Sequence, residues 1–235
     1  AEATDELVVE ASALAAELLE AAVGDVVLDT ETATFHVAGA PGASRIGWAE
    51  VAAGWAEARS RNGDDDYSLA CESNFTGDGP SVPYGMYAAV VSVDTETGHV
   101  TLDRMVSVDD AGTILNPMLV EGQLHGGIAQ GIGQAMYEEF VYDDDGNPLT
   151  GSFLDYGFPS AAELPMFDVH LMEIPSPNNP LGFKGVAESG CIGAAPAVQN
   201  AVIDALGHLG IRHIDMPVTP QRVWQAIAQA DPGPG

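Results

Sequence analysis

A helix interrupted by glycines is the feature that most constrains this sequence. Asn116-Pro117 predicts where the helix begins, because asparagine is a strong N-cap and proline is favoured at the first helical position. The helix is expected to run to about Met136 and to contain five glycines: Gly122, Gly126, Gly127, Gly131 and Gly133. Each interior glycine costs about 0.5–1 kcal/mol relative to alanine. We therefore expect another group to approach this backbone closely, either a bound heterocycle or a tightly packed neighbouring strand.

Short strands and helices on both sides of that helix predict the α+β class, with mixed β-hairpins and packed helices. The predicted helices are 5–23, 47–59, 193–206 and 219–229, and the predicted hairpins pair 26–28 with 34–37 and 88–94 with 100–106. The segments expected to be extended are 67–75, 85–94 and 166–174. Between these elements we expect a polar break at 61–66, a turn between short strands at 143–147 and a rigid loop at 175–180. No repeat or linker divides the sequence. We therefore expect one domain over 1–235, with 231–235 as a frayed tail.

The charge balance excludes some partners. Seven Lys and Arg oppose 35 Asp and Glu, a net charge of −28, which repels phosphate backbones and makes nucleic acid an unsuitable partner. Lys184 is the only lysine, a composition typical of adaptation to high salt or of a compositionally biased bacterial protein. No run of eighteen apolar residues predicts a transmembrane helix. The acidic start lacks the basic region of a Sec signal, so we expect a cytoplasmic location.

Several familiar motifs fail on inspection. Without a C-x-x-C motif, the two cysteines cannot hold an iron–sulfur cluster or a structural zinc on this chain, and they suggest a reducing compartment. Gly131-x-Gly133 lies inside a helix, whereas a dinucleotide-binding loop follows a strand. Ala187 and Cys191 occupy the positions where a nucleophile elbow needs glycine around Ser189.

Two segments have the composition of a binding or catalytic site. Residues 121–133 combine exposed glycine backbone with Gln123 and Gln130, whose amides offer donors and an acceptor to a heterocycle or a pterin edge. In residues 176–190, Lys184 lies four residues before Glu188 among glycines and small apolar residues. We expect that setting to desolvate the glutamate partly, raise its pKa and suit it to act as a base. Glu188 could instead cap a helix that begins near Gly193.

Together the two segments resemble the molybdenum-cofactor subunit of the xanthine oxidase family, the molybdenum hydroxylases. Within that family they are most similar to the group that resembles the carbon monoxide dehydrogenase large chain. The family pattern G-Q-x-H-G-G-x-x-Q-G-x-G begins at Gly122, and N-P-x-G-x-K-G-x-G-E begins at Asn179. Flanking stretches at 108–112, 116–117 and 216–224 also match. The implied fold is the C-terminal part, or second half, of the molybdopterin-binding domain.

The resemblance implies a role for each matching residue. Glu188 corresponds to the glutamate beside molybdenum, near the metal without being a firm ligand. In the family it takes a proton from a molybdenum-bound hydroxide, water supplies the oxygen, and electrons leave through iron–sulfur centres. Gln130 corresponds to a glutamine that touches the pterin. Other residues match cofactor-lining stretches: Gln123, Gly126, Gly127, Asp110, Lys184, Gly185 and Val186. The implied cofactor is molybdenum with molybdopterin, in the cytosine dinucleotide form.

The resemblance also implies partners, since a full family subunit is much longer. We expect the N-terminal half of the molybdenum subunit on a separate chain, unless this chain is a fragment, and separate FAD and [2Fe-2S] subunits. Ala187 replaces the usual glycine. Ala129-Gln130 and Asn178-Asn179 replace the Thr-Asp and paired histidines of enzymes that oxidise carbon monoxide, so an aldehyde or N-heterocycle is the expected substrate. The alternatives are a fragment of an aerobic carbon monoxide dehydrogenase large subunit and a non-catalytic cofactor-binding partner.

Overall fold

A computed structural model describes residues 2–40, 44–61 and 69–230. The chain divides into two compact units, Ala1–Thr76 and Gly77–Gly235, although the sequence predicts no linker between them. Most of the predicted polar break and the predicted frayed tail lie outside the described residues.

The first unit packs two helices on a three-stranded antiparallel sheet. Its elements are α1 (Glu2–Leu18), β1 (Val26–Asp29), β2 (Thr34–Val37), β3 (Arg45–Gly47) and α2 (Trp48–Arg61), with strand order β1-β2-β3. The predicted β1–β2 hairpin is confirmed. The ring of Phe35 is fully buried and meets Trp48 edge-on at 5.0 Å. Helix α1 ends five residues earlier than predicted, in a turn where Glu20 adopts a left-handed φ of 52°.

The second unit contains every residue of the two predicted site segments. Its elements are β4 (Tyr84–Val93), β5 (Val100–Asp110), α3 (Pro117–Met136), β6 (Phe167–Met172), α4 (Ser189–Leu206) and α5 (Pro220–Gln229). Strand β5 is central: it pairs antiparallel with β4, which confirms the predicted hairpin, and parallel with β6. Helix α4 packs against both α3 and β4. This arrangement confirms the α+β class.

One apolar core holds the sheet and helices of the second unit together. Met105 on β5, Ile128 and Ile132 on α3, and Val198 and Val202 on α4 are all fully buried in it. Burying each such side chain stabilises the fold by roughly 1.5–3 kcal/mol. The core therefore fixes α3 and α4 relative to the sheet and to each other.

Two local expectations are wrong. Helix α4 begins at Ser189 rather than near 193. The 143–147 turn is flanked by the single bridge between Tyr142 and Pro148 instead of by short strands. Residues 69–75, which were expected to be extended, pair with no strand that the structure describes. Among the described residues, no helix has the length and hydropathy needed to cross a membrane.

Candidate active site and pterin-binding surface

The beginning of α3 is fixed by the cap that the sequence predicts. Asn116 Oδ1 accepts a hydrogen bond of 3.1 Å from the backbone N–H of Leu119, and Pro117 is the first helical residue. A side-chain cap of this kind satisfies a backbone donor that the helix cannot satisfy itself. The cap therefore fixes, from the first turn onwards, the direction in which the glycine-containing face of α3 points.

Two of the helix glycines are explained by the packing of α4. A Cβ atom added at Gly127 would lie 3.0 Å from the backbone nitrogen of Cys191, and one added at Gly131 would lie 2.8 Å from its carbonyl oxygen. From the other helix, a Cβ at Gly190 would lie 2.7 Å from the carbonyl oxygen of Leu124. The two helices thus touch backbone to backbone. Close packing was one of the two expected explanations, but the neighbour is a helix rather than a strand.

Two other glycines and two glutamines form an open face on α3. A Cβ atom added at Gly122 or Gly126 would meet nothing within 4 Å. Gln123 and Gln130 are exposed, and within the described part of the chain neither amide hydrogen-bonds to another side chain. Residues three, four and seven apart share one helix face, so both glutamines lie on the side where Gly126 leaves the backbone accessible. The described chain gives this face no packing role.

Asp110 and Lys184 form a buried ion pair. Asp110 Oδ1 accepts hydrogen bonds of 2.9 Å from the backbone N–H groups of Gly112 and Ile174, and Oδ2 binds the ammonium of Lys184. The Asp110 side chain is fully buried, and that of Lys184 is 9% exposed. Burial acts to raise the pKa of Asp110, but the hydrogen bonds from Lys184 and the two amides bring it below the ordinary value. Both oxygens are therefore occupied within the chain.

The loop before Lys184 is held by side-chain amides, as expected for a rigid segment. Asn179 donates from Nδ2 to the carbonyl of Phe183 at 2.9 Å and accepts from its N–H at 3.2 Å. Asn178 donates to the carbonyl of Pro80 at 2.8 Å. Gly182 adopts a φ of +72°, a left-handed conformation that favours glycine. These contacts place the backbone that leads to the ion pair.

Glu188 occupies the N-cap position of α4, but its side chain makes no capping hydrogen bond. The capping alternative is therefore wrong for the side chain, although Glu188 directly precedes Ser189 at the start of the helix. The expected partial desolvation is also wrong within this chain, because Glu188 is exposed. The ammonium of Lys184 is directed to Asp110, so the carboxylate of Glu188 remains available to another group.

Glu188 lies in an open cleft of about 430 Å³. Val82 and Ile192, which are 67% and 64% exposed, give the cleft apolar walls. Ala187, the residue that departs from the family pattern, also lines it. The remaining lining residues are Ser81, Pro83, Gly185 and Ser189. A carboxylate flanked by apolar walls becomes desolvated once something closes the cleft.

Sequence reasoning missed a partly buried tyrosine that is paired with a buried aspartate beneath α4. The Tyr87 hydroxyl donates to Asp109 Oδ1, and a Cβ atom added at Gly193 would overlap the Tyr87 ring. Burial and the neighbouring carboxylate raise the pKa of Tyr87. The available signal was alternation along β5, which places Met105, Ser107 and Asp109 on the same buried face. A carboxylate on that face requires a partner.

The site supplies contacts for an organic group rather than ligands for a metal. Among residues 2–40, 44–61 and 69–230, no group of three or more His, Cys, Asp or Glu side chains could hold a metal ion. The open backbone at Gly126 and the amides of Gln123 and Gln130 suit the edge of a planar heterocycle with several donors and acceptors. These residues therefore fit a pterin.

Residues 1–165 match the family model described as the molybdopterin cofactor-binding domain. The chain belongs to this family. The carbon monoxide dehydrogenase large chain of Afipia carboxidovorans is 36% identical over 94% of this chain and 27% of its own length. Nicotine 6-hydroxylase large subunit of Paenarthrobacter nicotinovorans is 39% identical over 91% of this chain and 26% of its own.

Solved structures that resemble this molybdopterin cofactor-binding domain come from the same kinds of enzyme as its sequence relatives. The Cu,Mo-CO dehydrogenase superposes with a TM-score of 0.78 at 34% identity, over 100% of this chain and 29% of that one. Quinoline 2-oxidoreductase from Pseudomonas putida 86 gives a TM-score of 0.76 at 37% identity, over 97% of this chain and 29% of that one.

The chain spans little more than a quarter of the length of these relatives. The match to the family model ends at residue 165, before the segment that contains Glu188. The superposition on the Cu,Mo-CO dehydrogenase covers the whole chain and includes that segment. Both predicted site segments therefore lie within regions shared with molybdenum-enzyme relatives.

Proposed function

We propose that this molybdopterin cofactor-binding domain supplies the catalytic base and part of the pterin-binding surface of a molybdenum hydroxylase. The observation that carries the proposal is the backbone contact between α3 and α4. Gly127 on α3 meets Gly190 at the start of α4, and this contact connects the face of Gln123 and Gln130 to the helix that Glu188 begins. Amides without a hydrogen-bond partner among the described residues, together with an uncapped carboxylate, suit a bound redox cofactor.

The pterin would be held by the open face of α3. Gln123 and Gln130 would hydrogen-bond to its donors and acceptors, and Gly126 would allow its ring to approach the backbone. Gly127 is assigned to the same surface, although the contact with α4 already explains why it is glycine. We further propose the cytosine dinucleotide form of the cofactor, on the family resemblance of these residues.

Glu188 would act as the base. The bound molybdenum cofactor supplies two-electron redox chemistry, so that a substrate C–H and water become C–OH with release of two protons and two electrons. The free carboxylate of Glu188 accepts one of those protons at its oxygen, near the metal but not as a firm ligand. Val82 and Ile192 help to exclude water once the cleft is covered.

Asp110 and Lys184 would support the site rather than carry out its chemistry. Lys184 binds Asp110 Oδ2 and two backbone N–H groups bind Oδ1, so both carboxylate oxygens are occupied and the ion pair joins the end of β5 to the loop before α4. We assign Gly185 and Val186, which follow Lys184 directly, to the cofactor-lining stretch. No Cβ contact restricts Gly185, so its backbone is open to a bound group.

The proposed substrate is a small aldehyde or N-heterocycle. Gln130 and Asn178-Asn179 stand where the carbon monoxide pattern has Asp and a pair of histidines. Both asparagines are engaged in hydrogen bonds that hold the loop. Carbon monoxide oxidation is the second candidate, favoured by the superposition of the whole chain on the Cu,Mo-CO dehydrogenase.

We propose that the chain works in the cytoplasm with the rest of the molybdenum subunit and with FAD and [2Fe-2S] subunits. The relatives support separate partners by their names, since they are described as large chains or as subunits of a complex. The other molybdenum-subunit residues would cover the exposed cleft around Glu188. This would produce the desolvation that the chain alone does not provide.

The test is to purify the assembled complex and to measure molybdenum, pterin nucleotide and turnover of quinoline, nicotine, benzaldehyde and carbon monoxide. Glu188→Gln should abolish turnover while molybdenum and pterin contents remain at parent levels. Glu96→Gln, in the exposed β4–β5 turn, is the matched control and should retain activity. Full turnover by Glu188→Gln would refute the base assignment, and a complex without molybdenum would refute the function.

A further inference from the structure

We propose that Tyr87 is a positioning residue, whose hydrogen bond to Asp109 fixes the first turns of α4 and thereby the location of Glu188. The inference deepens the proposed function and rests on the assignment of Glu188 as the base. Its structural part concerns the packing of α4 against β4, β5 and α3. That part can therefore be tested independently of turnover.

The ring of Tyr87 lies directly against the second turn of α4. A Cβ atom at Gly193 would overlap Cδ2, Cε2 and Cγ of the ring, so only glycine permits this approach. A tyrosine ring buries a large area and has a limited number of rotamers. The distance between α4 and β4 at this point is therefore set by the thickness of one aromatic ring.

The hydroxyl group prevents that ring from moving. Tyr87 donates a hydrogen bond of 2.5 Å to Asp109 Oδ1, and the Asp109 residue is 1% exposed. Tyr87 provides the only side-chain or backbone hydrogen bond to this carboxylate within the described residues, and Asp109 Oδ2 is buried without a partner. Rotation of Tyr87 away from this position would leave a buried carboxylate with no hydrogen bond, which is strongly unfavourable.

Helix α3 restrains the same turns of α4 from another side. Gly127 and Gly131 contact the backbone of Gly190 and Cys191, so α4 cannot approach α3 more closely. Glu188 directly precedes this restrained turn, and its side chain makes no capping hydrogen bond that could place it independently. Its location consequently follows that of the helix, which the Tyr87 ring and α3 jointly determine.

Tyr87→Phe tests the hydrogen bond while it retains the ring. The matched control is Tyr156→Phe, because the Tyr156 hydroxyl also donates to a carboxylate, Glu138 Oε2, at 2.7 Å. Amide hydrogen exchange of the full chain measures how readily the start of α4 opens next to Tyr87. We expect exchange at residues 190–193 to accelerate about tenfold in Tyr87→Phe, a change of about 1.36 kcal/mol in local opening free energy, and to remain unchanged in Tyr156→Phe.

The assembled enzyme tests the effect on Glu188. With the best substrate among quinoline, nicotine and benzaldehyde, we expect Tyr87→Phe to lower kcat about tenfold and to leave KM and molybdenum content unchanged. The isotope effect on kcat for substrate deuterated at the reacting carbon should rise, because displacement of the base slows the chemical step. Simple destabilisation would lower the amount of active enzyme without changing the isotope effect.

Asp109→Asn keeps the proposal testable should Tyr87→Phe fail to fold. Its amide oxygen can still accept the tyrosine hydrogen bond, so exchange at 190–193 should stay within about threefold of the parent, well short of the tenfold change expected for Tyr87→Phe. Equal exchange at 190–193 in the parent and Tyr87→Phe would overturn the proposal. Accelerated exchange with parent kcat and isotope effect would overturn the link to Glu188. Failure of the base assignment would be seen separately, as full turnover by Glu188→Gln, and failure of the proposed function as an assembled complex without molybdenum.

Discussion

Removal of the Lys184 charge tests whether the lone lysine is structural. In Lys184→Met most of the aliphatic stem is retained, but the fully buried Asp110 loses its ionic partner. Breaking a buried pair by removing one partner costs about 3–5 kcal/mol. The contact of the ammonium with the Tyr84 ring, at 5.0 Å, adds about 0.5–1 kcal/mol. Because domains are stable by only about 5–15 kcal/mol, the second unit should be severely destabilised at pH 7.

Urea unfolding followed by fluorescence measures this loss. Trp48 and Trp55 lie in the first unit and Trp224 in the second. A Trp48→Phe/Trp55→Phe background therefore makes the signal report on the second unit. The control is Lys184→Met with Asp110→Asn, in which the two backbone N–H groups keep an acceptor and no charge is buried, so stability should largely return. A loss below about 1 kcal/mol in Lys184→Met, or no recovery in the double variant, would refute the reasoning.

The pH dependence of the same measurement has a defined sign. The folded-state pKa of Asp110 lies below its ordinary value, so the unfolded chain binds this proton more readily. The contribution of the pair is complete above the unfolded-state pKa and is lost as pH falls through the folded-state value. The stability difference between the parent and Lys184→Met should accordingly narrow in acid.

Three glycine substitutions extend the test to the packing of the fold. Gly127→Ala should lower the free energy of unfolding by about 1–3 kcal/mol, because its Cβ would press on the backbone of Cys191. Gly126→Ala should raise the free energy of unfolding by about 0.5–1 kcal/mol and lower the pterin content of the complex. Equal stabilities of the two variants in urea would contradict the packing. Gly98→Ala should lower the thermal midpoint, because it places a side chain at φ +75° against the carbonyl of Pro220; an unchanged midpoint by calorimetry would contradict that contact.

Features that depend on residues close together in the sequence were predicted correctly. Features that depend on packing between distant elements were not. The Asn116 cap and the β4–β5 hairpin follow from local chemistry and are confirmed. The start of α4 was placed four residues late, because Gly190 and Gly193 lower helix propensity. These two glycines are explained only by the folded chain, in which α3 packs against Gly190 and the Tyr87 ring packs against Gly193. No local pattern contains that information.

The sequence indicated which residues belong to the candidate site but not which of their side chains form an ion pair. The sequence placed Lys184 four residues before Glu188 and indicated no partner for it, whereas the structure directs Lys184 to Asp110, 74 residues earlier in the chain. The carboxylate of Glu188 was expected to be desolvated by its sequence neighbours, and it is exposed. Desolvation depends on what covers a cleft, and sequence neighbours on an open loop cannot provide it.

The separation of these two charges explains how a strongly acidic chain can present a usable base. Had Lys184 paired with Glu188, the ion pair would favour the charged carboxylate, and the hydrogen bond would have to break before that oxygen could accept a substrate-derived proton. With the lysine held by Asp110, both oxygens of Glu188 remain available to the group bound in the cleft. The ion pair thus stabilises the loop without occupying the carboxylate that the proposed chemistry requires.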